Sequence, residues 1–265
     1  SKLFMPHHCS SGTTVDDIKY IVTDIGDERI HTTVLENELA GVIKVVYTVS
    51  DRSIGGKKVY EALDQMMIEI IGAKKYKKFC DENKEDYRQM LAEFASLKRN
   101  ICMDSIGKVS LKVPVSLSEM FKERHNETFI NTIEQSRFRG QITMNVDKMR
   151  LEADLFRSLF QNTISEITKH LADVLKRKDA KGTTSLTMVG QLSEYRILQT
   201  TIKKAFPGIK VIIPPDPSFA SLNGAVICGH RLTETEQEDE DHLSSSDIAN
   251  LSNCSSSYAQ GILHQ

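Results

Sequence analysis

The sequence predicts an α/β domain that combines antiparallel and parallel strands and is followed by an acidic tail. Strand-like runs with short connections come first, and strand and helix patterns alternate in the last third. The final stretch is rich in Asp, Glu and Ser. A chain of 265 residues that is 40% hydrophobic and 26% charged can bury a sizeable core. Its formal net charge of −2 gives no reason to expect nucleic acid or an anionic membrane as a partner.

The first predicted elements are three strands. The run IKYIVTDI is almost entirely apolar, which is typical of a buried central strand. The runs RIHTTVLE and GVIKVVYTVSD alternate between apolar and polar residues, which is typical of strands with one buried face. Because the connections are short, we expect an antiparallel meander.

Helical spacing dominates the middle of the chain. A helix is predicted from about Lys57 to Phe79, with a buried face at Val59, Leu63, Met66, Met67, Ile70 and Ile71. The patterns then predict, in order, a helix over about 84–102, an edge strand KVSLKVPVS containing Pro114, a helix near 118–135, a strand GQITMNV, and a long helix that Asp147 caps and that reaches about Lys178.

The last third alternates strand and helix. The predicted order is strand SLTMVG, a helix over about 193–206, strand KVIIP, and a helix over about 218–229. Such alternation is typical of parallel strands joined by crossover helices. Residues 1–17 are predicted to be a flexible leading segment, and residues 232–265 a disordered acidic and Ser-rich tail.

This element order matches the ribonuclease-H-like core of an actin-like ATPase lobe. The main domain would span 18–231, with a small inserted α+β subdomain at about 80–145. In such sheets ligands bind at the carboxyl ends of the strands. We therefore expect Asp24–Gly26, Gly190 and the loop after Ile213 to lie along one edge.

Six segments, in order, resemble the second half of the nucleotide-binding domain of heat shock protein 70, in particular its divergent heat shock 70 kDa protein 12 subgroup. They are IVTDIGDERIHTTVL, DRSIGGKKVYEALDQMM, LAEFASLKRNI, DKMRLEADLFRSLF, LTMVGQLSEYRILQTTIKKAF and IIPPDPSFASLNGAVICGH, and the resemblance covers about 18–230. It implies an ATP-binding, chaperone-like stress-response protein that uses ATP or ADP with Mg²⁺. Since only 17 residues precede the first strand, we expect a fragment whose cleft a missing first lobe or a partner protein completes.

The resemblance also implies which residues contact the nucleotide. They are Asp24, Gly26, Gly55, Gly56, Lys98, Arg99, Gly190 and Asp216, with Asp24 also directed toward the metal. Other interpretations stay open for several of them. Gly55 and Gly56 would also suit a strand-to-helix turn, Lys98 and Arg99 a solvated basic helix face, and Asp216 a turn that caps the next helix.

Several positions depart from the family pattern. Asp27, Glu28 and Arg29 stand where the phosphate hairpin normally has Gly-Gly-Thr, and two carboxylates there oppose a triphosphate. The adenosine side departs at three further positions: Ala95, Gln191 and Glu194. These changes leave three alternatives. The first is a weakened ATP site, for which the resemblance implies hydrolysis but this chain alone is expected to be inactive. The others are a pseudo-ATPase interaction module without nucleotide and a divalent-metal site formed by Asp24, Asp27, Glu28 and Asp216.

Cysteine usage and hydropathy indicate the compartment. The five cysteines are widely spaced and form no CxxC motif, which favours a reducing, cytoplasmic location. No apolar stretch approaches the roughly 20 residues that a membrane-spanning helix needs.

Overall fold

The structure is a computed structural model that describes residues 19–37, 43–121 and 128–227. The strands are β1 (Lys19–Ile25), β2 (Ile30–Asn37), β3 (Ile43–Asp51), β4 (Lys108–Lys112), β5 (Ile142–Asn145), β6 (Lys148–Glu152), β7 (Thr183–Val189) and β8 (Lys210–Ile212). The helices are α1 (Lys57–Ile71), α2 (Ala73–Glu82), α3 (Lys84–Asn100), α4 (Val115–Glu119), α5 (Phe129–Gln135), α6 (Ala153–Ser158), α7 (Gln161–Leu175) and α8 (Arg196–Ala205). The predicted leading segment and acidic tail lie outside the described residues. The domain bounds, including the insert at about 80–145, stay predictions.

The main sheet is mixed, with five strands in the order β3-β2-β1-β7-β8. β1, β2 and β3 form the predicted antiparallel meander. β7 pairs parallel with β1 and with β8, which confirms the predicted parallel strands. A mixed sheet with packed helices is consistent with an actin-like ATPase fold.

The core lies between this sheet and the helices. β1 occupies the centre of the sheet, where Ile21 and Ile25 are fully buried. The predicted apolar face of α1 is confirmed, since all six of its residues are buried. Within the described ranges, no helix has the length and apolar character needed to cross a membrane.

A second sheet of three strands has the order β4-β6-β5. β4 is an edge strand, as predicted, but it ends at Lys112, and Pro114 instead precedes α4. Where one helix near 118–135 is predicted, the structure has α4 and α5, and residues 122–127 lie outside the described part of the chain.

Two helix predictions are wrong at their boundaries. The helix predicted over 57–79 breaks at Gly72, whose φ of 90° and ψ of 138° are not helical, and α2 begins after it. Asp147 does not cap a long helix, because residues 148–152 form β6, in which Met149 and Leu151 are buried alternately. The backbone at Val146, with φ 57°, turns the chain between β5 and β6, and α6 and α7 follow.

The last predicted helices begin with 3₁₀ turns. Residues Gln191–Glu194 form one turn before α8, and Pro217–Phe219 form another before helical residues 220–227. Both turns follow parallel strands, so they lie at the same edge of the sheet.

Candidate functional site

The carboxyl ends of β1, β7 and β8 meet at one edge of the main sheet. The backbone N–H of Gly190 donates to the Pro217 carbonyl at 2.8 Å. A Cβ atom on Gly190, whose φ is 87°, would lie 2.3 Å from Asp24 Oδ1. The predicted edge that joins Asp24, Gly190 and the loop after Ile213 is therefore present.

A tight hairpin connects β1 to β2 above this edge. The Gly26 N–H donates to the Arg29 carbonyl at 2.9 Å, so this N–H points into the hairpin. The N–H groups of Gly56 and Lys57 donate to the carbonyls of Gly26 and Asp27 at 3.1 and 2.9 Å. The Gly26 N–H is thus used to close the hairpin, and the Gly56 and Lys57 N–H groups hold the start of α1 against it.

Gly55 and Gly56 allow that hairpin to approach α1 closely. A Cβ atom at Gly55 would lie 2.3 Å from the Asp27 carbonyl oxygen, and one at Gly56 would lie 2.2 Å from Asp27 Oδ1. Neither glycine has a positive φ in the range that side chains avoid. Close packing therefore accounts for both glycines, in addition to the two interpretations that the sequence suggested.

A cleft of about 590 Å³ opens between the hairpin, α3 and the two 3₁₀ turns. Its lining residues are Asp27, Tyr60, Ala95, Arg99, Gln191, Glu194, Tyr195, Asp216, Pro217, Ser218 and Phe219. This volume lies within the range of small-molecule sites. Of the eight predicted nucleotide contacts, Arg99 and Asp216 line the cleft directly.

Lys98 is fully buried, so the solvated-face interpretation is wrong for this residue. Its Nζ lies 3.4 Å from the centroid of the Tyr60 ring and 5.1 Å from that of Tyr195. Burial lowers the pKa of Lys98 to about 8, and the negative charge of Asp27 opposes this shift. Among the described residues, neither Lys98 Nζ nor the buried Asp27 Oδ1 has a hydrogen-bond partner.

Arg99 is exposed and forms an ion pair at the cleft. Its Nε lies 3.1 Å from Glu194 Oε2, and Glu194 also accepts a hydrogen bond from the Ser218 hydroxyl. Glu194 stands where the resemblance implies a stacking arginine. Instead of stacking on a base, its carboxylate holds the guanidinium of Arg99.

Asp216 has a left-handed backbone, with φ 48°. Its carbonyl accepts from the Phe219 N–H at 2.9 Å, and its side chain makes no capping hydrogen bond to the turn that follows. The turn interpretation is confirmed, whereas the side-chain cap is absent from this described segment.

Sequence reasoning missed the aromatic wall of the cleft, which consists of Tyr60, Tyr195 and Phe219. Burial raises the pKa of Tyr60 and of Tyr195 above the ordinary value, so both hydroxyls stay protonated at neutral pH. A weak signal was present, since Tyr60 lies one helical turn after Gly56 and Tyr195 follows the turn that begins at Gly190.

The site fits a metal poorly. In the part of the chain that the structure describes, no three His, Cys, Asp or Glu side chains come together as a metal site. The four-carboxylate metal cluster is therefore wrong. Asp24 Oδ2 accepts from the Ser221 hydroxyl at 3.1 Å. A single carboxylate such as Asp24 suits only a Mg²⁺ ion whose other ligands are phosphates and water.

The same residues fit one half of a nucleotide. Tyr60, Tyr195 and Gln191 offer aromatic and neutral polar surface for a base and a sugar. At the hairpin, Asp27 presents a carboxylate where phosphate would lie, and nearby backbone donors are already bonded. The cleft thus suits a nucleoside better than a triphosphate.

Comparison with known proteins gives one informative similarity. No family model matches the chain. Human Heat shock 70 kDa protein 12B is 24% identical over 214 residues, which are 80% of this chain and 31% of that protein. The chain therefore spans about a third of the relative's length. This similarity supports a family relationship between this chain and the heat shock 70 kDa proteins.

Proposed function

We propose that this chain is part of an ATP-binding, chaperone-like protein of the heat shock protein 70 type, and that the cleft is its adenine-nucleotide site. The observation that carries the proposal is the position of the cleft, at the joined carboxyl ends of three parallel strands. This is where open α/β sheets bind ligands. The proposed lobe corresponds to the second lobe of an actin-like ATPase domain.

The contacts follow from the lining. The adenosine half would lie against Tyr60, Tyr195 and Arg99, and the phosphates would extend toward the hairpin at Asp24–Gly26. Gly190 and Gly55–Gly56 hold that hairpin in place through close packing. A bound Mg²⁺ supplies positive charge that offsets phosphate charge, and Asp24 is the residue proposed to face it.

The cellular setting is part of the same proposal. We place the protein in the cytoplasm, in a stress response, with a first lobe or a partner protein closing the open side of the cleft. Phosphoryl transfer depends on positioned donors and cations. Because Asp27 and Glu28 place carboxylates where the resemblance places phosphates, we expect no efficient hydrolysis by this chain alone.

A second candidate is a pseudo-ATPase interaction module. It is favoured by the ion pair between Arg99 and Glu194, which lies on the adenosine side of the cleft. In that case the fold would be kept for contacts with a partner protein, and nucleotide would not bind.

Isothermal titration separates the two candidates. ATP and ADP with Mg²⁺ are titrated into the full 265-residue chain, the Asp24→Ala variant and a control variant, Glu119→Gln, whose exposed carboxylate lies on α4. The nucleotide-site proposal predicts saturable binding that Asp24→Ala weakens about tenfold, a loss of about 1.4 kcal/mol, and that Glu119→Gln leaves unchanged. No heat of binding at millimolar nucleotide would favour the interaction module.

A further inference from the structure

We propose that this cleft selects against phosphate, so that its affinity decreases from adenosine to ADP to ATP. The inference rests on the proposed nucleotide site and specifies its ligand class as the nucleoside or a metal-neutralised nucleotide. It follows from where the charges, the backbone donors and the aromatic surfaces of the described cleft lie.

Most of the charged side chains that line the cleft are acidic. Three carboxylates line the cleft, those of Asp27, Glu194 and Asp216. Arg99 is the one cation among the lining residues, and Glu194 already holds it at 3.1 Å. Like charges at short range repel, most strongly where water is excluded. Each added phosphate therefore meets net negative charge.

Three other cations, on the hairpin, α1 and α3, lie outside the cleft lining. Lys98 lies under the Tyr60 ring, fully buried, with Nζ 3.4 Å from the ring centroid. Arg29 ends the hairpin with an exposed side chain and is not among the lining residues. Lys58 is held by Glu166 on α7, with Nζ 2.7 Å from Glu166 Oε1. Lys98 and Lys58 would have to leave these contacts to pair with a phosphate in the cleft, and Arg29 lies outside the cleft lining.

Backbone N–H groups at and beside the hairpin already have acceptors within the protein. Within the hairpin and its contact with α1, the N–H groups of Gly26, Gly56 and Lys57 donate to protein carbonyls. Glycine-rich hairpins bind phosphate because such groups stay free to face it. Here the Gly26 N–H closes the hairpin, and the Gly56 and Lys57 N–H groups hold α1 against it.

The cleft also has an end that is lined by uncharged side chains. Tyr60, Tyr195 and Phe219 supply aromatic surface, and Gln191 supplies a neutral polar group that can both donate and accept. An uncharged base can stack on these aromatic surfaces. It carries no charge for the carboxylates of the cleft to repel. The favourable contacts therefore belong to the nucleoside.

The test is a ligand series measured by isothermal titration on the full chain at fixed ionic strength. Adenosine, AMP, ADP and ATP are each titrated with EDTA and then with Mg²⁺. We expect adenosine to bind at least tenfold tighter than ATP when EDTA is present. Added Mg²⁺ should narrow that ratio, because it neutralises phosphate charge.

Two variants remove the proposed repulsion without a large change in shape. Asp27→Asn is nearly isosteric, and Asp216→Asn places at φ 48° a residue that tolerates left-handed backbone. Each should raise the affinity for ATP severalfold more than the affinity for adenosine, whereas Glu119→Gln should change neither.

The outcomes of the series separate the two proposals. ATP binding that equals or exceeds adenosine binding with EDTA would overturn the inference and leave the nucleotide site standing. An unchanged ATP affinity in both asparagine variants would also overturn it. If none of the four ligands binds, the nucleotide site itself is wrong and the inference is overturned with it.

Discussion

Lys98 is a buried cation beside the candidate site. It is fully buried, its Nζ faces the Tyr60 ring, and it has no hydrogen-bond partner among the described residues. Burying an ammonium without a hydrogen-bonded partner costs free energy, and an apolar residue of similar length carries no such cost. Lys98 therefore places a positive charge near Asp27 and lowers the folding stability.

The first prediction is that Lys98→Met raises the free energy of unfolding at about pH 7 by about 1–3 kcal/mol. Burial lowers the pKa of Lys98 from 10.5 to about 8. Between these values the unfolded chain binds more protons than the folded chain, so wild-type stability rises with pH across this window. The gap between wild type and Lys98→Met should therefore narrow as pH rises from about 7 to about 9.5.

Urea unfolding followed by circular dichroism at both pH values measures this gap. Lys77→Met, at an exposed position on α2, is the control for a general lysine effect and should change little. A Lys98→Met variant that is less stable than wild type at neutral pH would show that the buried charge is net favourable.

The second residue-level prediction concerns the close approach at Gly55. An alanine Cβ there would lie 2.3 Å from the Asp27 carbonyl oxygen, so the hairpin must shift. Gly55→Ala should lower the free energy of unfolding by about 1–3 kcal/mol or more. Gly208→Ala is the matched control, because no described atom would lie within 4 Å of its new Cβ. Urea midpoints that agree for the two variants would contradict this packing.

At the scale of elements, a buried polar path joins two strands to a helix. Thr23 Oγ1 on β1 lies 2.9 Å from Thr32 Oγ1 on β2. Thr32 Oγ1 lies 3.1 Å from Nε2 of His170 on α7. Both threonines are fully buried, so Thr32 is where the sheet and α7 share a polar contact.

The third prediction is that Thr32→Val lowers the free energy of unfolding by about 1–3 kcal/mol, because it leaves two polar groups without this partner. Thr48→Val removes only the exposed hydrogen bond to Thr33 and should change stability by less than about 0.5 kcal/mol. Equal stabilities for Thr32→Val and Thr48→Val in urea unfolding would show that the buried path contributes nothing.

Most elements could be predicted from the sequence where the apolar period was unambiguous. The face of α1 and the meander of β1 to β3 are examples. Predictions were wrong where one pattern suited two structures. Leu151, Leu155 and Leu159 have helical spacing, yet Leu151 belongs to β6, whose alternation of Met149 and Leu151 is too short to stand out. The sequence contains Gly72, which could have marked a helix end. The helical spacing of apolar residues continues past it at Tyr76 and Phe79, however, and therefore favoured one long helix.

At the scale of the whole molecule, the edge that holds the cleft was predictable and its chemistry was only partly so. Strand order places Asp24, Gly190 and Asp216 together, because carboxyl ends of parallel strands meet. The burial of Lys98 was not predictable, since amphipathic patterns count lysine as exposed. The pairing of Arg99 with Glu194 joins helix α3 to a 3₁₀ turn far away in sequence, and no local pattern shows such a contact.

We propose that this protein binds an adenine ligand in the cleft between the hairpin, α3 and the 3₁₀ turns. Hydrogen exchange of the full chain, read by mass spectrometry with and without saturating adenosine, tests it most directly. We predict slower exchange at 24–29, 95–100 and 190–196, and little change in the three-stranded sheet. Unchanged exchange at those segments, or protection confined to the separate groove that Asp51, Glu166 and His170 line, would contradict the claim.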